Sequence, residues 1–303
     1  MAKFILEVFD GYSIYKTGPF TMEGLAFFKK IDILKSAFVN TITKGDVMKT
    51  PEQILASTIH IGEHKISKPF LAKSILGFIG GAMISLGYLL YVRIAASGLE
   101  TFGAFSSVLG ACAFPIGLII ILMAGGELIT GNMMAVSAAF FAKKIKAKDL
   151  INNWLIITLF NVIGAVFVAF VFGHFLGLTS AGIFKEEVIE VAHAKIAATP
   201  LQAVVSGIGC NWFVGLALWL CYGASDATGK LLGTWFPVMT FVALGFQHSV
   251  ANAFVIPAAI FEGGATWLDF ILNFTFVYAG NIIGGAIFVS LFYFKAYYHP
   301  EKA

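Results

Sequence analysis

The sequence predicts an all-α polytopic membrane protein with six transmembrane helices in a three-plus-three inverted repeat, helices two and five being broken. Three observations carry this expectation. Hydrophobic residues make up 58% of the 303-residue chain and charged residues only 12%, with a mean hydropathy of +0.86. A soluble domain carries about 25% charge, and this length accommodates six spans of about 20 residues. Second, two apolar stretches are each interrupted by a polar knot, in Gly126-Glu-Leu-Ile-Thr-Gly-Asn132 and Gly245-Phe-Gln-His-Ser-Val-Ala-Asn252. Third, the knots superpose at an offset of 120 residues: Asn132 meets Asn252, Ala138-Ala139 meets Ala258-Ala259, and Asn161-Val-Ile-Gly164 meets Asn281-Ile-Ile-Gly284. Each half then holds three spans. An odd number forces the second copy to enter from the opposite side, with two broken helices meeting near the midplane.

The elements follow in order. Residues 1–49 read as a cytoplasmic extension, in which Thr21 to Asn40 suits an amphipathic helix at the membrane surface. The first residues lack a long apolar run and a small-residue cleavage site, so no signal peptide is expected. Thr50-Pro-Glu-Gln53 opens a helix: Thr50 caps, Pro51 suits the first turn and Gln53 completes the box. That helix, to about His64, is too polar to span, and His60 and His64 read as solvated. Span one covers about 70–95 and carries Gly77, Gly80, Gly81 and Gly87, which permit close helix contact. Span two begins near Phe105, contains Pro115 and runs into a Gly-rich loop at membrane depth, from which a half-helix resumes at Asn132. Such a loop is tolerated only when it is surrounded by protein or lines a cavity. Span three covers 150–177, span four 203–223, span five 233–262 with its break at His248, and span six 268–294. The six-span unit with its leading helix is thus 50–297, with a cytoplasmic tail at 298–303.

Orientation follows from the basic residues. Seventeen of twenty fall on one side, including Lys143, Lys144, Lys146 and Lys148, while Arg93, Lys185 and Lys195 lie on the other. Both termini are expected in the cytoplasm of a multi-pass cell-membrane protein. The net charge of +3 therefore reflects membrane sidedness, and no nucleic acid partner is expected. Cys112, Cys210 and Cys221 sit in apolar runs without a CxxC pair, so they read as small core residues. No metal or cofactor is expected.

The chemistry concentrates at the knots. An imidazole in hydrocarbon is costly, which marks His248 as a functional candidate. His248 and Ser249 come from one break, Glu127 and Thr130 from the other. Asn161, Asn211 and Asn281 lie in the spans behind, where amides also serve as interhelical glue of order 1 kcal/mol. Glu127 reads as a loop anchor accepting backbone N–H groups, with proton transfer as the alternative. Asn132, Asn252 and Gln247 complete the polar set. The bulky Phe114, Leu118, Leu128, Val214 and Phe241 pack near the knots and become candidate gates, where a dry constriction blocks an ion. Lys195 is a lone cation in the otherwise acidic segment Glu186 to Lys195, read either as solvated or as attracting anions.

Over about residues 50–297 the chain resembles the formate–nitrite transporters, pentameric channels for small monovalent anions. The matching segments are Glu127-Leu-Ile-Thr-Gly-Asn132, the Lys195 segment, Asn211-Trp-Phe-Val-Gly-Leu-Ala-Leu-Trp219, Gly245 to Asn252, and Gly280-Asn-Ile-Ile-Gly-Gly285. The resemblance implies an aquaporin-like six-span bundle with one pore per protomer, assembled as a homopentamer in membrane lipid. It makes His248 the central pore histidine, with Thr130 its partner on an Ω-shaped loop and Asn211 beside them. The five bulky residues match the constrictions and Lys195 the vestibule lysine. One departure stands out: the family usually has Glu before the pore histidine, where this chain has Gln247. The implied function is a channel or proton-coupled transporter for formate, with nitrite, lactate, acetate or hydrosulfide as alternatives. An intramembrane enzyme using His248 and Glu127 lacks HExxH, GxSxG or a cysteine nucleophile arrangement. A glycerol-type channel would carry paired Asn-Pro-Ala at the breaks, where this chain has Gly-Asn-Met and Ala-Asn-Ala.

Overall fold

The computed structural model of the chain describes residues 48–298. The expected amphipathic helix between Thr21 and Asn40 and the tail beyond Tyr298 lie outside the described residues, which contain helices and no strand. In chain order they form α1 (Pro51–Ser67), α2 (Phe70–Phe102), α3 (Phe105–Ala113), α4 (Ile116–Ala124), α5 (Ile129–Phe141) and α6 (Ala147–Phe167). Then come α7 (Gly182–Ile196), α8 (Pro200–Gly223), α9 (Ala227–Ala243), α10 (Ser249–Phe261), α11 (Trp267–Ile282) and α12 (Phe292–Tyr297). Beyond Phe167 and Ile282 the chain continues in wider π-helical turns, Val168–Phe175 and Ile283–Leu291.

Sequence chemistry sets the helix starts. Thr50 accepts from Gln53 N–H while the Gln53 side chain returns to Thr50 N–H, closing the expected capping box on α1. The same device opens α8 with Thr199 and Gln202, and α11 with Thr266 and Asp269. α1 extends to Ser67, one turn past the expected His64.

Five helical segments are long and apolar enough to cross a membrane: Phe70–Phe102, Phe105–Ala124, Ala147–Phe175, Pro200–Gly223 and Trp267–Tyr297. The remaining stretch is divided between α9, of 17 residues, and α10, of 13. At 1.5 Å per residue, α10 reaches about 20 Å, short of a hydrocarbon core of about 30 Å. The second expected span is likewise divided, first by a bend at Phe114–Pro115 and then by the non-helical Gly125 to Leu128. α5 begins at Ile129, three residues before the expected Asn132. The cause is remote: Asn161 Oδ1, from α6, accepts the Ile129 N–H at 2.8 Å and satisfies a helix-start donor that no local side chain caps.

Packing repeats between the halves. α2 lies along α6 and α8 along α11, the two most extensive helix pairings. Glycine makes the first approach possible: a Cβ on Gly81 would land on the backbone of Asn161. Between the pairs, α5 and α10 are almost wholly buried. The outer faces carry exposed apolar side chains such as Leu155, Leu159, Leu201 and Leu268, a surface suited to lipid or to a neighbouring subunit.

Candidate functional site

Two non-helical loops, 125–128 before α5 and 244–248 before α10, face the middle of the bundle. Each enters through a glycine with positive φ, Gly125 at 105° and Gly245 at 74°, a backbone region that favours glycine. Each is held from behind by an asparagine amide used in the same way. Asn161 accepts from Ile129 N–H and donates to Gly77 O and Glu127 O at 2.7 and 2.8 Å. Asn281 accepts from Ser249 N–H and donates to Gly207 O and Gln247 O at 2.9 and 3.2 Å. The knots are therefore one hydrogen-bonding device used twice.

The loops meet at His248 and Thr130. The imidazole Nε2 lies 2.8 Å from Thr130 Oγ1, with both residues buried. Nδ1 accepts the Ala251 N–H at 3.1 Å, so His248 caps its own helix. With Nδ1 acting as an acceptor, the ring is neutral and carries its proton on Nε2, which donates to the threonine oxygen. Phe241 stacks on the imidazole, with centroids 6.0 Å apart and planes at 22°, and Phe114 meets Phe241 edge-on at 5.9 Å. A cavity of about 150 Å³ opens above this group, bordered by His248, Phe114, Phe241, Asn252 and Lys195.

Lys195 reaches that cavity from the last turn of α7, partly buried. Its ammonium donates to Gly245 O at 3.1 Å, and it has no ion pair among the described residues. Burial, the main influence, brings its pKa down to about 8. Its own carbonyl is a hub, accepting from Asn273 Nδ2 at 2.9 Å and Gln247 Nε2 at 3.3 Å. Gln247 Oε1 in turn accepts from Asn252 and Asn273, each at 2.8 Å. Gln247 thus ties the α10 loop to the lysine segment.

The equivalent cluster in the first half is built from ions. Glu127 is buried and pairs with Lys65 at 2.7 Å and Lys68 at 3.1 Å. It anchors its loop through lysine side chains, and its own N–H donates to Leu76 O. Lys65, Lys68, His60, His64 and Tyr222 border a second cavity of about 310 Å³ with Glu127. Neither lysine nor Tyr222 stood out in the sequence, because α1 reads as an ordinary polar helix and its approach to the loop is a long-range contact.

The remaining expected residues fall into two groups. Leu118, Leu128 and Val214 join Phe114 and Phe241 in one buried apolar cluster but border neither cavity. Asn211 also stands behind the site: its amide donates to Asn281 O at 2.7 Å and Thr130 O at 3.2 Å, cross-linking the two halves. Asn132 donates to Asn153, as Asn252 does to Asn273, 120 residues later. Among the described residues, no group of three or more histidine, cysteine or acidic side chains is placed to hold a metal ion.

A sequence description of the family "Formate/nitrite transporter" matches residues 52–295. The chain belongs to that family. An uncharacterized transporter of Bacillus subtilis strain 168, YrhG, is 51% identical over 255 residues, which is 84% of this chain and 96% of YrhG. The formate channel BtFdhC of Bacillus thuringiensis is 49% identical over 247 residues, covering 82% and 95% of the two chains. Among solved structures, a pentameric formate channel with formate bound superposes with a TM-score of 0.66 at 27% identity, over 75% of this chain and 97% of its own. The family is one of membrane transporters and channels. This chain is accordingly a multi-pass membrane protein of a small-anion transport family.

Proposed function

We propose that the protein moves formate, or a similarly small monovalent acid anion, across the cell membrane, and that each protomer of a homopentamer holds its own pore. The observation that carries the reading is the His248–Thr130 pair, buried at the junction of the two loops beneath a cavity bordered by a lysine that has no ion pair among the described residues. α9 and α10 together make the fifth span, which brings the total to six, so the bundle is a three-plus-three inverted repeat in an aquaporin-like fold. Both termini are cytoplasmic, the Lys195 cavity faces outward, and the Lys65–Lys68 cavity faces inward.

Lys195 concentrates the anion at the outer mouth. Phe114 and Phe241 with Leu118, Leu128 and Val214 form the dry constrictions. An ion pays heavily for desolvation there, whereas a neutral acid avoids most of that cost. An acid with a pKa of about 4 is neutral in only about one molecule per thousand at pH 7, so neutralisation must occur at the site. A proton arriving at the ring has to displace the Ala251 N–H from Nδ1. Imidazolium then forms only when the anion's charge stands beside it. Nε2 then gives its proton to the anion, directly or through the Thr130 hydroxyl, while the incoming proton stays on Nδ1, and the neutral acid crosses.

Uptake by purified protein in liposomes tests the reading, with formate, nitrite, lactate, acetate and hydrosulfide compared at about pH 5.5 and about pH 7.5. Formate flux that rises at the lower pH is the expected result, and flux of none of the five would refute it. The transport unit is 50–297, so a chain lacking the first 48 residues should give the same panel.

Lys195 sets a second pH dependence with its own sign. Its ammonium is charged below about 8 and neutral above it, so attraction at the outer mouth fades as pH rises through that value. Lys195→Arg stays charged throughout. The ratio of variant to wild-type formate uptake should therefore climb several-fold between about pH 7 and about pH 9. A flat ratio would show that the lysine charge does not govern entry.

A further inference from the structure

Most polar groups around the Lys195 cavity are accounted for by the scaffold: Asn252, Gln247 and the lysine carbonyl bond one another, and His248 is held by Thr130 and Ala251. Tyr88, on α2, is the exception. It is 6% exposed and borders the cavity with Lys195 and His248. Its hydroxyl has no hydrogen-bond partner among the described residues and is not among the sealed-off unpaired atoms, so it opens to the cavity. A donor that opens to a cavity takes its partner from what the cavity holds, water or an anion's oxygen.

The ring itself is fixed. Tyr91 lies 5.4 Å away, Phe254 6.0 Å, and Phe114 meets it edge-on at 5.6 Å and 87°. Tyr88 is therefore braced against the same phenylalanine that contacts Phe241, which in turn stacks on His248. The hydroxyl is also foreign to the repeated scaffold. The matching contacts of Asn161 with Gly77 O and Asn281 with Gly207 O place α2 against α8 so that position 88 corresponds to Leu218, which has no polar side-chain atom. Folding the repeat does not require a hydroxyl here.

We propose that Tyr88 is a specificity-determining hydrogen-bond donor of the outer cavity, which recognises a small oxyanion through one of its oxygens before it enters the Phe114–Phe241 constriction. The proposal rests on the anion-transport reading given above and names what that site selects. A phenol O–H donating to a charged oxygen makes a short, strong bond. Sulfur is a much poorer acceptor, so hydrosulfide gains little from the same group. Lys195, by contrast, attracts any anion through its charge. The cavity thus has a non-selective cation and a selective donor, and it ranks carboxylate and nitrite above hydrosulfide.

Tyr88→Phe removes the hydroxyl and keeps the ring, with its contacts to Tyr91, Phe114 and Phe254. Wild-type and variant full-length protein, reconstituted in liposomes and matched for oligomeric mass and melting temperature, are compared for uptake of formate and of hydrosulfide at low concentration. The ratio of formate to hydrosulfide uptake should fall about tenfold in the variant, equal to about 1.4 kcal/mol, mainly through a higher half-saturating formate concentration. A ratio unchanged within about twofold, or an equal loss for both anions, overturns the proposal and leaves Tyr88 as packing. Wild-type formate uptake is the internal control. Its absence would refute formate as the transported anion, whereas its presence with an unchanged ratio refutes only the role of Tyr88.

Discussion

His248→Asn is expected to assemble normally, lose proton-coupled formate uptake and leak the anion instead. The structure explains why the variant should fold. His248 caps α10 through Nδ1, which accepts the Ala251 N–H, and asparagine is among the best residues for that task. The loop is held independently by Asn281, which bonds Ser249 N–H and Gln247 O. What asparagine cannot do is bind a proton. If transport neutralises the anion at the imidazole, uptake loses its steep rise at acidic pH, and the charged form crosses only as far as the constrictions allow. Gln247→Glu is the companion. It keeps the acceptors for Asn252 and Asn273 and adds a negative charge one residue from the ring, which favours imidazolium and should move the pH profile of uptake upward. Wild-type profiles in both variants, at matched expression, would remove His248 from proton transfer and leave it as a plug.

The parts of this site that were legible in the sequence share one property: each is a local contradiction. A histidine, a threonine and several amides inside apolar helices violate the solvent preference of their surroundings, and the 120-residue offset showed that the violation occurs twice. That was enough to name His248, Thr130, Asn161 and Asn281 and to place two interruptions in the helices. What stayed hidden depends on contacts between distant segments. The early start of α5 at Ile129 comes from an amide 32 residues away. Lys65 and Lys68 look like ordinary surface cations until Glu127 is seen between them. Tyr88 reads as one aromatic among many in α2, and only the absence of a partner distinguishes its hydroxyl. Asn211 showed the reverse limit. Its type and position were visible, but the direction of its amide, toward the carbonyls of Thr130 and Asn281, was not.

The scaffold behind the site should be as intolerant as the histidine itself, and Gly81 is where that is sharpest. α2 and α6 cross here so closely that a Cβ on Gly81 would fall on the carbonyl oxygen, carbonyl carbon and Cα of Asn161. All three are backbone atoms, so no rotamer change relieves the clash and the helices must separate. Overpacking a well-filled core costs about 1–3 kcal/mol and sometimes more, against a total stability of about 5–15 kcal/mol for a typical domain. The displaced residue is also the one whose side chain caps α5 and holds Glu127 O. Movement at the crossing therefore reaches the loop that carries Thr130. Gly81→Val, with two further methyl groups to accommodate, is expected to lower the melting temperature sharply and to abolish formate uptake. Wild-type protein in mild detergent should show the mass of five copies, and the variant should appear mainly as smaller or aggregated species. A variant with wild-type mass and melting temperature would mean that α2 and α6 do not approach each other as closely as described. The anchoring of the α5 loop by Asn161 would then need a different geometry.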